Sequence, residues 1–472
     1  MAKNTEIELK LVVSKDNLKK LLALDCVAGA MREGSCQKRK LVSSYYDTED
    51  LALKRQGIAY RVRSKGDGTY EATVKTSVTN GAGLSERVEL NLPLNSARAK
   101  LEGFGELGLG FELTELAPNG VSKLFTVTVQ RTTYILDLEG AVAELAIDHG
   151  KIVAGKDCVD PIDEVEIELL EGEKAALLDL AAELAAQVPV FVEKRSKFVR
   201  GLALRGIMAD TAPVKDKLGT GGLKSEVLAA VATHGEQLLQ CQQELGEGLS
   251  EKVLKGVRRE LLTLRSLAAL VGVAQCAPLS EALQAVERVR RLVALQALWQ
   301  RILTKGAAGG RTSLQKKLSQ ASLVAMDNLQ GLAKQGRFTA IVFALQSLVY
   351  QAEVEDEAVD SCVKTSLKAW QQVLAQKAAE QDEAETGEET AENAALSEKL
   401  IAAENICALA RCCNVKAVAK AAEAVKKQRR QLNKQAVLGF WQEQLQAICE
   451  ASTSKLVYRE AGMILGYLLA KK

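Results

Sequence analysis

The segment Glu6-Ile7-Glu8-Leu9-Lys10, near the start of this 472-residue chain, alternates charged and apolar residues. Successive side chains of a β-strand point to opposite faces, so this alternation predicts a strand with one ionic and one apolar face. Two carboxylates and one ammonium group share the ionic face. The segment alone does not decide whether that face meets solvent or lines a polar cavity.

The same alternation recurs over roughly the first 200 residues. It is found in IAYRVRS (58–64), YEATVKT (70–76), SERVELNL (85–92), VTVQRTTYIL (127–136), VAELAIDHGK (142–151) and DEVEIELLEG (163–172). Turn signals such as Gly66-Asp67-Gly68 and Asn80-Gly81-Ala82-Gly83 separate these segments, which predicts antiparallel hairpins. A sheet with many antiparallel strands removes its unpaired edges by closing, so we expect a barrel.

The charged faces of such a barrel either form a solvated exterior or line a polar tunnel. Two observations favour the tunnel. Amphipathic segments near residues 14 and 171 predict helices that need an apolar sheet face to cover, and outward Ile, Leu and Val side chains would supply it. Three glutamates in register, Glu164, Glu166 and Glu168, are also unusual for a surface strand.

Crowded charges restrict what such a tunnel can hold. Two like charges about 4 Å apart repel by roughly 4 kcal/mol at an effective dielectric constant near 20, so clustered carboxylates must be protonated, paired or bound to metal. A polyanion with divalent cations relieves the repulsion among both the acids and the bases. Carboxylates suit Mg²⁺ and Mn²⁺, and arginine binds phosphate oxygens through two parallel hydrogen bonds.

Eight ordered motifs resemble those of the CYTH superfamily, the triphosphate tunnel metalloenzymes. They are EIELK (6–10), YYDT (45–48), GIAYRVR (57–63), YEATVK (70–75), RVEL (87–90), AELAID (143–148), EVEIEL (164–169) and RSKFVRG (195–201). Within the superfamily, the chain is most similar to bacterial inorganic triphosphatases that carry a helical CHAD domain. The resemblance implies an eight-stranded antiparallel tunnel that binds a triphosphate and metal.

The resemblance also implies roles for individual residues. The implied substrate-binding residues are Lys10, Arg61, Arg63, Lys75, Arg87, Arg131 and Lys197, of which only the family motif places Lys197 at the tunnel. The implied metal ligands are Glu6, Glu8, Glu166 and Glu168, with Glu144 and Asp148 as supports, and the implied catalytic residues are Glu6, Glu8, Lys75 and Glu168. Glu71 and Glu89 are either partners that orient arginines or direct metal ligands.

The expected reaction is metal-dependent hydrolysis of inorganic triphosphate to pyrophosphate and phosphate, with Mg²⁺ or Mn²⁺ as cofactor. Two alternatives stay open: a polyphosphate-binding protein with little turnover, and a related organic triphosphatase such as a thiamine triphosphatase. Neither a GxxxxGK phosphate loop nor a nucleophile motif beside either histidine is present, which disfavours a P-loop hydrolase and a serine hydrolase.

The second half of the chain is rich in Ala, Leu, Gln, Glu, Lys and Arg at helical spacing. The fold class is therefore multidomain α+β, with a tunnel domain at 1–205, a linker at 206–222 and an all-α helical-bundle domain at 223–472. Helices are predicted at 223–246, 249–272, 279–305, 312–333, 336–352, 356–378, 394–413, 415–433, 435–450 and 453–471.

This helical half resembles a CHAD domain, a module that implies binding of long-chain polyphosphate. Arg258, Arg259 and Arg265 are present, but no histidine stands at the expected place, since His149 and His234 lie elsewhere. Basic clusters at 288–291, 316–317 and 426–430 are either a polyanion-binding surface or ordinary solvated helix faces.

Composition limits the remaining possibilities. The formal net charge of +2 gives no overall bias toward nucleic acid, so specific nucleic-acid binding is not expected. No apolar run is long enough to cross a bilayer, and MAKNTEIELK lacks the apolar core of a secretory signal, so no membrane association is expected and cytoplasm is the expected location.

Overall fold

The alternating segments form nine antiparallel strands in the computed structural model, which describes residues 5–208, 217–305, 313–354, 358–376 and 388–469. The strands are β1 Thr5–Val12, β2 Gln37–Asp47, β3 Ile58–Ser64, β4 Tyr70–Gly81, β5 Leu84–Leu94, β6 Ser122–Leu138, β7 Ala141–Val153, β8 Val159–Gly172 and β9 Phe191–Val192. Their order is β5-β4-β3-β2-β6-β7-β8-β1, and β1 also pairs with β5, so eight strands close into a barrel. The predicted eight-stranded antiparallel barrel is confirmed.

The register places oppositely charged residues side by side on the inner face. Cross-strand partners share a face of the sheet, and Arg87 lies opposite Glu6, Lys10 opposite Glu166, and Arg131 opposite Asp148. The other face of each strand carries the apolar residues, which are buried beneath covering elements. Outside β3, β4 and β5, for example, a buried cluster includes Tyr60, Val62, Val74, Leu90, Phe104 and Leu113.

Six helices accompany the barrel. They are α1 Lys15–Leu22, α2 Asp25–Ala28, α3 Ala52–Arg55, α4 Leu113–Leu116, α5 Lys174–Gln187 and α6 Lys197–Leu204, and a π-helical turn lies at Gly105–Leu109. The helices predicted near residues 14 and 171 correspond to α1 and α5. Helix α5 packs on β7 and β8 with Leu177, Leu178 and Leu184 fully buried, as expected for a helix that covers an apolar sheet face.

Helix α6 closes one end of the barrel. Ser196 caps its N-terminus by accepting a hydrogen bond from the Val199 amide at 3.2 Å. Phe198 packs against Tyr45 and Phe125, with ring centroids 5.7 Å and 6.2 Å away, and Leu202 joins the same buried cluster. The interior is therefore apolar at the α6 end and polar beyond it, whereas the sequence predicts only the polar part.

Replacement of Gly201 by alanine tests how closely α6 packs against Phe125. A Cβ atom at Gly201 would lie 2.3 Å from two ring atoms of Phe125, so the helix must move outward. We expect Gly201→Ala to destabilise the protein by about 1–3 kcal/mol, as overpacked core sites do. The melting temperature checks this, with Gly331→Ala as control, because a Cβ atom at Gly331 meets nothing within 4 Å. Equal melting temperatures for the two variants would contradict this packing.

Nine helices follow in the described part of the chain. They are α7 Leu223–Glu247, α8 Glu251–Leu270, α9 Ala277–Lys305, α10 Ser313–Lys334, α11 Arg337–Gln351, α12 Val359–Ala375, α13 Glu388–Cys412, α14 Lys416–Glu450 and α15 Lys455–Leu469. The two helices predicted at 415–433 and 435–450 are one continuous helix, α14. The prediction of a break was wrong because residues 431–438 contain neither glycine nor proline, and nothing else there interrupts the backbone hydrogen bonds.

The chain divides into two compact units, Met1–Val214 with Val342–Tyr350, and Lys215–Ile341 with Gln351–Lys472. The second unit is all-α, and one of its cores buries Leu295, Trp299 and Leu314. Part of the predicted linker, 209–216, lies outside the described residues. Among the helices that the structure describes, none has both the length and the apolar character needed to span a bilayer.

Candidate active site

The barrel interior beyond α6 holds a cavity of about 140 Å³, well above the roughly 10–15 Å³ that one water molecule requires. Its lining comprises the cations Lys10, Arg61, Arg63, Lys75, Arg87, Arg131 and Lys197, the acids Glu6, Glu8, Glu89, Glu166 and Glu168, and Tyr45, Ala59, Ser196 and Phe198. All seven predicted substrate-binding residues therefore meet at one place. Of the six predicted metal ligands, four line the cavity, whereas Asp148 and Glu144 are not among its lining residues.

One group of acids is already neutralised by cations. Carboxylate oxygens of Asp148, Glu164 and Glu166 lie within 4.8 Å of one another, a spacing that suits a metal ion. The Lys197 ammonium, however, lies 2.8 Å from Asp148 and 2.9 Å from Glu166 and also contacts Glu164. Arg131 approaches Asp148 at 2.7 Å and Glu166 at 2.5 Å. Lysine and arginine nitrogens thus take the place that a metal would occupy here.

The pKa values of this group agree with that pairing. Although burial raises the pKa of Glu166, the charges of Lys10, Lys197 and Arg131 hold it well below its ordinary value. Burial likewise lowers the pKa of Lys197, but Glu166, Asp148 and Glu164 raise it above its ordinary value. These ionised partners form a fixed network that anchors the first residue of α6 inside the barrel.

In a second group of acids, Glu6, Glu89 and Glu168, only the first two are paired with a cation. The Lys75 ammonium is shared between Glu6 at 2.6 Å and Glu89 at 2.5 Å. Glu168 forms no ion pair with any residue that the structure describes. Burial, and then the charge of Glu6, raises the pKa of Glu168 to about 8. Burial and neighbouring carboxylates favour the neutral form of Glu168. A cation bound here would therefore stabilise the ionised carboxylate and relieve the repulsion among the acids.

Glu8 lies between the two groups. Its carboxylate accepts a 2.5 Å hydrogen bond from Lys10 and lies 3.4 Å from Arg87. In the register of β1 and β8, Glu8 is directly opposite Glu168. The two inward carboxylates therefore project from neighbouring backbone positions toward the same part of the cavity.

Among the seven cations that line the cavity, Arg63 is the one whose charge is least neutralised by carboxylates. Its Nε donates a 2.9 Å hydrogen bond to the neutral hydroxyl of Ser43. Burial, and then the charges of Arg61 and Arg131, lower the pKa of Arg63 to about 10. Since a guanidinium ordinarily titrates far above this value, the site holds a partly buried cation that a bound anion would stabilise.

An aromatic wall bounds the cavity on the α6 side. Tyr45 and Phe125 stack with ring centroids 4.8 Å apart, and Phe198 contacts both. Burial raises the pKa of the Tyr45 hydroxyl, but the charges of Arg61 and Arg63 bring it below its ordinary value. The wall excludes solvent from one side of the arginines, which strengthens their interaction with a bound anion.

Two other predicted acids have different surroundings. Glu144 lies opposite Glu168 in the pairing of β7 and β8, and burial raises its pKa. Glu71 forms a 2.8 Å ion pair with Lys65 and, among the described residues, none with an arginine, so both of its predicted roles stay predictions. Glu89, by contrast, lines the cavity and contacts Lys75.

Sequence reasoning did not identify Tyr45, Phe198 and Glu164 as site residues. The alternation of β2 and β8 contains a signal for Tyr45 and Glu164, because each shares a face with a residue of the cavity. Phe198 lies on α6, and the sequence contains no signal for a helix that enters the barrel end.

The basic residues of the second unit are partly neutralised. Arg258 contacts Glu287 and lies 2.5 Å from Glu404, and Arg265 lies 3.0 Å from Glu404. His234 is buried, and its Nδ1 lies 2.8 Å from Glu260. Binding of polyphosphate by this unit stays a prediction.

Comparisons with known proteins agree with the barrel and its charged interior. The family model for the CYTH domain matches residues 4–202. An inorganic triphosphatase of Haemophilus influenzae is 30% identical over 206 residues, which make up 42% of this chain and 54% of that protein. The chain thus spans about half the length of the curated relative that it matches.

Solved structures resemble each half of the chain at low identity. A Pyrococcus horikoshii protein is 20% identical, with a TM-score of 0.29, and the match covers 43% of this chain and 99% of that one. The CHAD domain from the plant Ricinus communis is 16% identical, with a TM-score of 0.40, and covers 56% of this chain and 92% of that one.

Proposed function

Because residues 4–202 form a CYTH domain, we propose that this chain hydrolyses inorganic triphosphate to pyrophosphate and phosphate inside the barrel, with Mg²⁺ or Mn²⁺ as cofactor. The observation that carries the proposal is the meeting of seven cations and five carboxylates around one interior cavity. A neutral or cationic ligand would leave the charge of Arg63 without an opposite charge, whereas a chain of phosphoryl groups offers oxygens to all the arginines.

The metal would be held by Glu8 and Glu168, with Glu6 beside them. These residues fit a hard divalent cation, because they are oxygen donors and because Glu168 has no ion-pair partner within the described chain. Asp148 and Glu166 instead form ion pairs with Lys197 and Arg131. Glu144, the cross-strand partner of Glu168, would support the metal ligands without binding the metal itself. When bound, the metal would act as a Lewis acid that offsets charge on the phosphate oxygens and lowers the pKa of a bound water.

The chain's own cations bind and orient the substrate. Arg63 supplies an unneutralised guanidinium, and Arg61 lies beside it, 3.6 Å from Glu89. Arg131 and Lys197 are fixed by carboxylates, so they present charge without reorganising when the substrate binds. Preorganised charge of this kind is often the largest single contribution to catalysis. Lys75, held between two glutamates, completes the ring on the side of the second acid group.

Release of phosphate from several substrates tests the proposal. Triphosphate, ATP, thiamine triphosphate and long-chain polyphosphate are each assayed with and without Mg²⁺ or Mn²⁺. We expect rapid release from triphosphate only with metal. Faster release from thiamine triphosphate would favour the organic triphosphatase, and tight binding without turnover would favour the polyphosphate-binding protein. Salt-sensitive binding of long-chain polyphosphate by the full chain, kept when Arg63 is replaced, would support a second site on the helices.

The raised pKa of Glu168 gives a pH-dependent prediction for stability. Between the ordinary value of 4.5 and about 8, the folded protein keeps a proton that the unfolded chain has released. The free energy of unfolding of the metal-free protein therefore receives a contribution from Glu168 that falls as pH rises through this window.

Metal binding should remove this loss, because the cation replaces the proton. We expect saturating Mg²⁺ to raise the melting temperature more at pH 8.5 than at pH 6. In Glu168→Gln the difference between the two pH values should largely disappear. A wild-type shift that is the same at both pH values would argue against Glu168 as a ligand.

A further inference from the structure

Three consecutive cations, Lys38, Arg39 and Lys40, follow Gln37 at the start of strand β2. Arg39 is the Cα partner of Arg131, a residue that lines the cavity. Because cross-strand partners share a face, Arg39 lies on the inner face, and Lys38 and Lys40 lie on the outer face. The three residues thus carry equal charge, and only one of them faces inward.

Arg39 lies near the start of β2, at the end of the strand away from Tyr45. Tyr45, six residues further along the same face, belongs to the aromatic wall at the α6 end. Ser43 contacts Arg63 between these two levels. The Arg39 side chain is exposed, in contrast to the buried Arg61 within the cavity.

Arg39 has a neutral partner. Its Nη2 donates a 2.8 Å hydrogen bond to the Gln37 side-chain oxygen. Hydrogen bonds from Thr69 and, after them, the charge of Arg39 lower the pKa of the Asp67 carboxyl, but within the described chain Asp67 forms no ion pair with Arg39.

The charge of Arg39 nevertheless reaches the inner face. Burial raises the pKa of Glu144, and the charges of Arg131 and Arg39 both act against that rise. Arg39 therefore adds a further cation to the inner face beside Arg131. Its remaining guanidinium N–H groups can donate hydrogen bonds to a ligand.

We propose that Arg39 binds the outermost phosphoryl group of the phosphate chain at the mouth of the barrel, an inference that rests on the proposed function. The residue lies outside the motifs that identify the family. Its role is to position the substrate by holding the end that faces solvent, while Arg61, Arg63 and Arg131 hold the interior groups. A substrate with an additional phosphoryl group, such as inorganic tetraphosphate, extends further toward the mouth and depends more strongly on Arg39.

Kinetics of Arg39→Ala, Arg39→Lys and Lys40→Ala test this role. Lys40→Ala is the matched control, because it removes the same charge from the neighbouring, outward-facing position. We expect Arg39→Ala to raise KM for triphosphate about tenfold, the scale of one lost charge-assisted hydrogen bond, with little change in kcat. The increase should be larger for tetraphosphate, Arg39→Lys should recover part of it, and Lys40→Ala should behave as wild type.

Binding without turnover separates this inference from the proposed function. Calorimetric titration with triphosphate in the presence of a chelator reports affinity whether or not the protein is a hydrolase. Equal affinities and equal KM values for Arg39→Ala and Lys40→Ala, beside normal wild-type turnover, would overturn the role of Arg39 alone. A wild-type protein that neither binds nor hydrolyses triphosphate would overturn the proposed function and Arg39 with it. Unchanged melting temperatures establish that the variants are folded.

Discussion

Replacement of Glu168 by glutamine is expected to reduce metal-dependent phosphate release from triphosphate by about a thousandfold, the scale of a lost electrostatic contribution to the transition state. The amide keeps the size of the side chain and removes the negative charge that a divalent cation requires. Glu8 lies directly opposite in the register and should be equally sensitive, whereas Glu171 is exposed on the same strand. Glu171→Gln is therefore the matched control and should retain wild-type activity.

Loss of stability would not explain this result. At pH values above about 8, Glu168 adds a negative charge beside Glu6 and Glu89, so its neutralisation should leave the melting temperature unchanged or raise it. Steady-state rates at several Mg²⁺ concentrations, measured beside thermal unfolding, check both statements. A Glu168→Gln variant with a normal rate and a normal metal requirement would contradict the assignment.

Replacement of Arg63 by methionine is expected to lower kcat/KM for triphosphate by about 10²–10³-fold, as for other single preorganised donors. Arg63 is partly buried, contacts the neutral Ser43, and has its pKa lowered to about 10 by desolvation and by two neighbouring arginines. Its charge therefore opposes folding and is useful only when an anion is bound. Methionine preserves the length of the side chain and removes the charge.

The same substitution should not destabilise the protein. Because the folded state disfavours the Arg63 charge, we expect the melting temperature of Arg63→Met to equal or exceed that of the wild type. Arg32→Met is the control, since the exposed Arg32 pairs with Asp137 away from the cavity residues. An active Arg63→Met, or an inactive one that is also unfolded, would contradict the role of Arg63 as an unneutralised anion-binding group.

The sequence predicted the barrel because period-two alternation is a local property of each strand. It identified which side chains share a face in β1, β3 and β8. Amphipathic helices beside the strands indicated which face points inward. The match of residues 4–202 to the CYTH-domain family model agrees with both inferences.

The sequence could not separate the two groups of acids. Glu164, Glu166 and Glu168 alternate identically in one strand, but Lys197 from α6 pairs with the first two and not with Glu168. Likewise, Arg61 and Arg63 occur in one short motif, but Glu89 lies 3.6 Å from Arg61, and Arg63 has Ser43 as its hydrogen-bond partner. Such differences arise from tertiary contacts between residues far apart in sequence, so local periodicity contains no information about them.

The location of a bound metal tests the central claim most directly. Crystals of the wild-type protein, soaked briefly with Mn²⁺ and triphosphate at low temperature to slow turnover, would allow the ion to be placed by anomalous scattering. We predict a peak about 2.0–2.3 Å from carboxylate oxygens of Glu8 and Glu168, with phosphate oxygens beside Arg63. A peak among Asp148, Glu164 and Glu166, or triphosphate bound outside the barrel, would contradict the account.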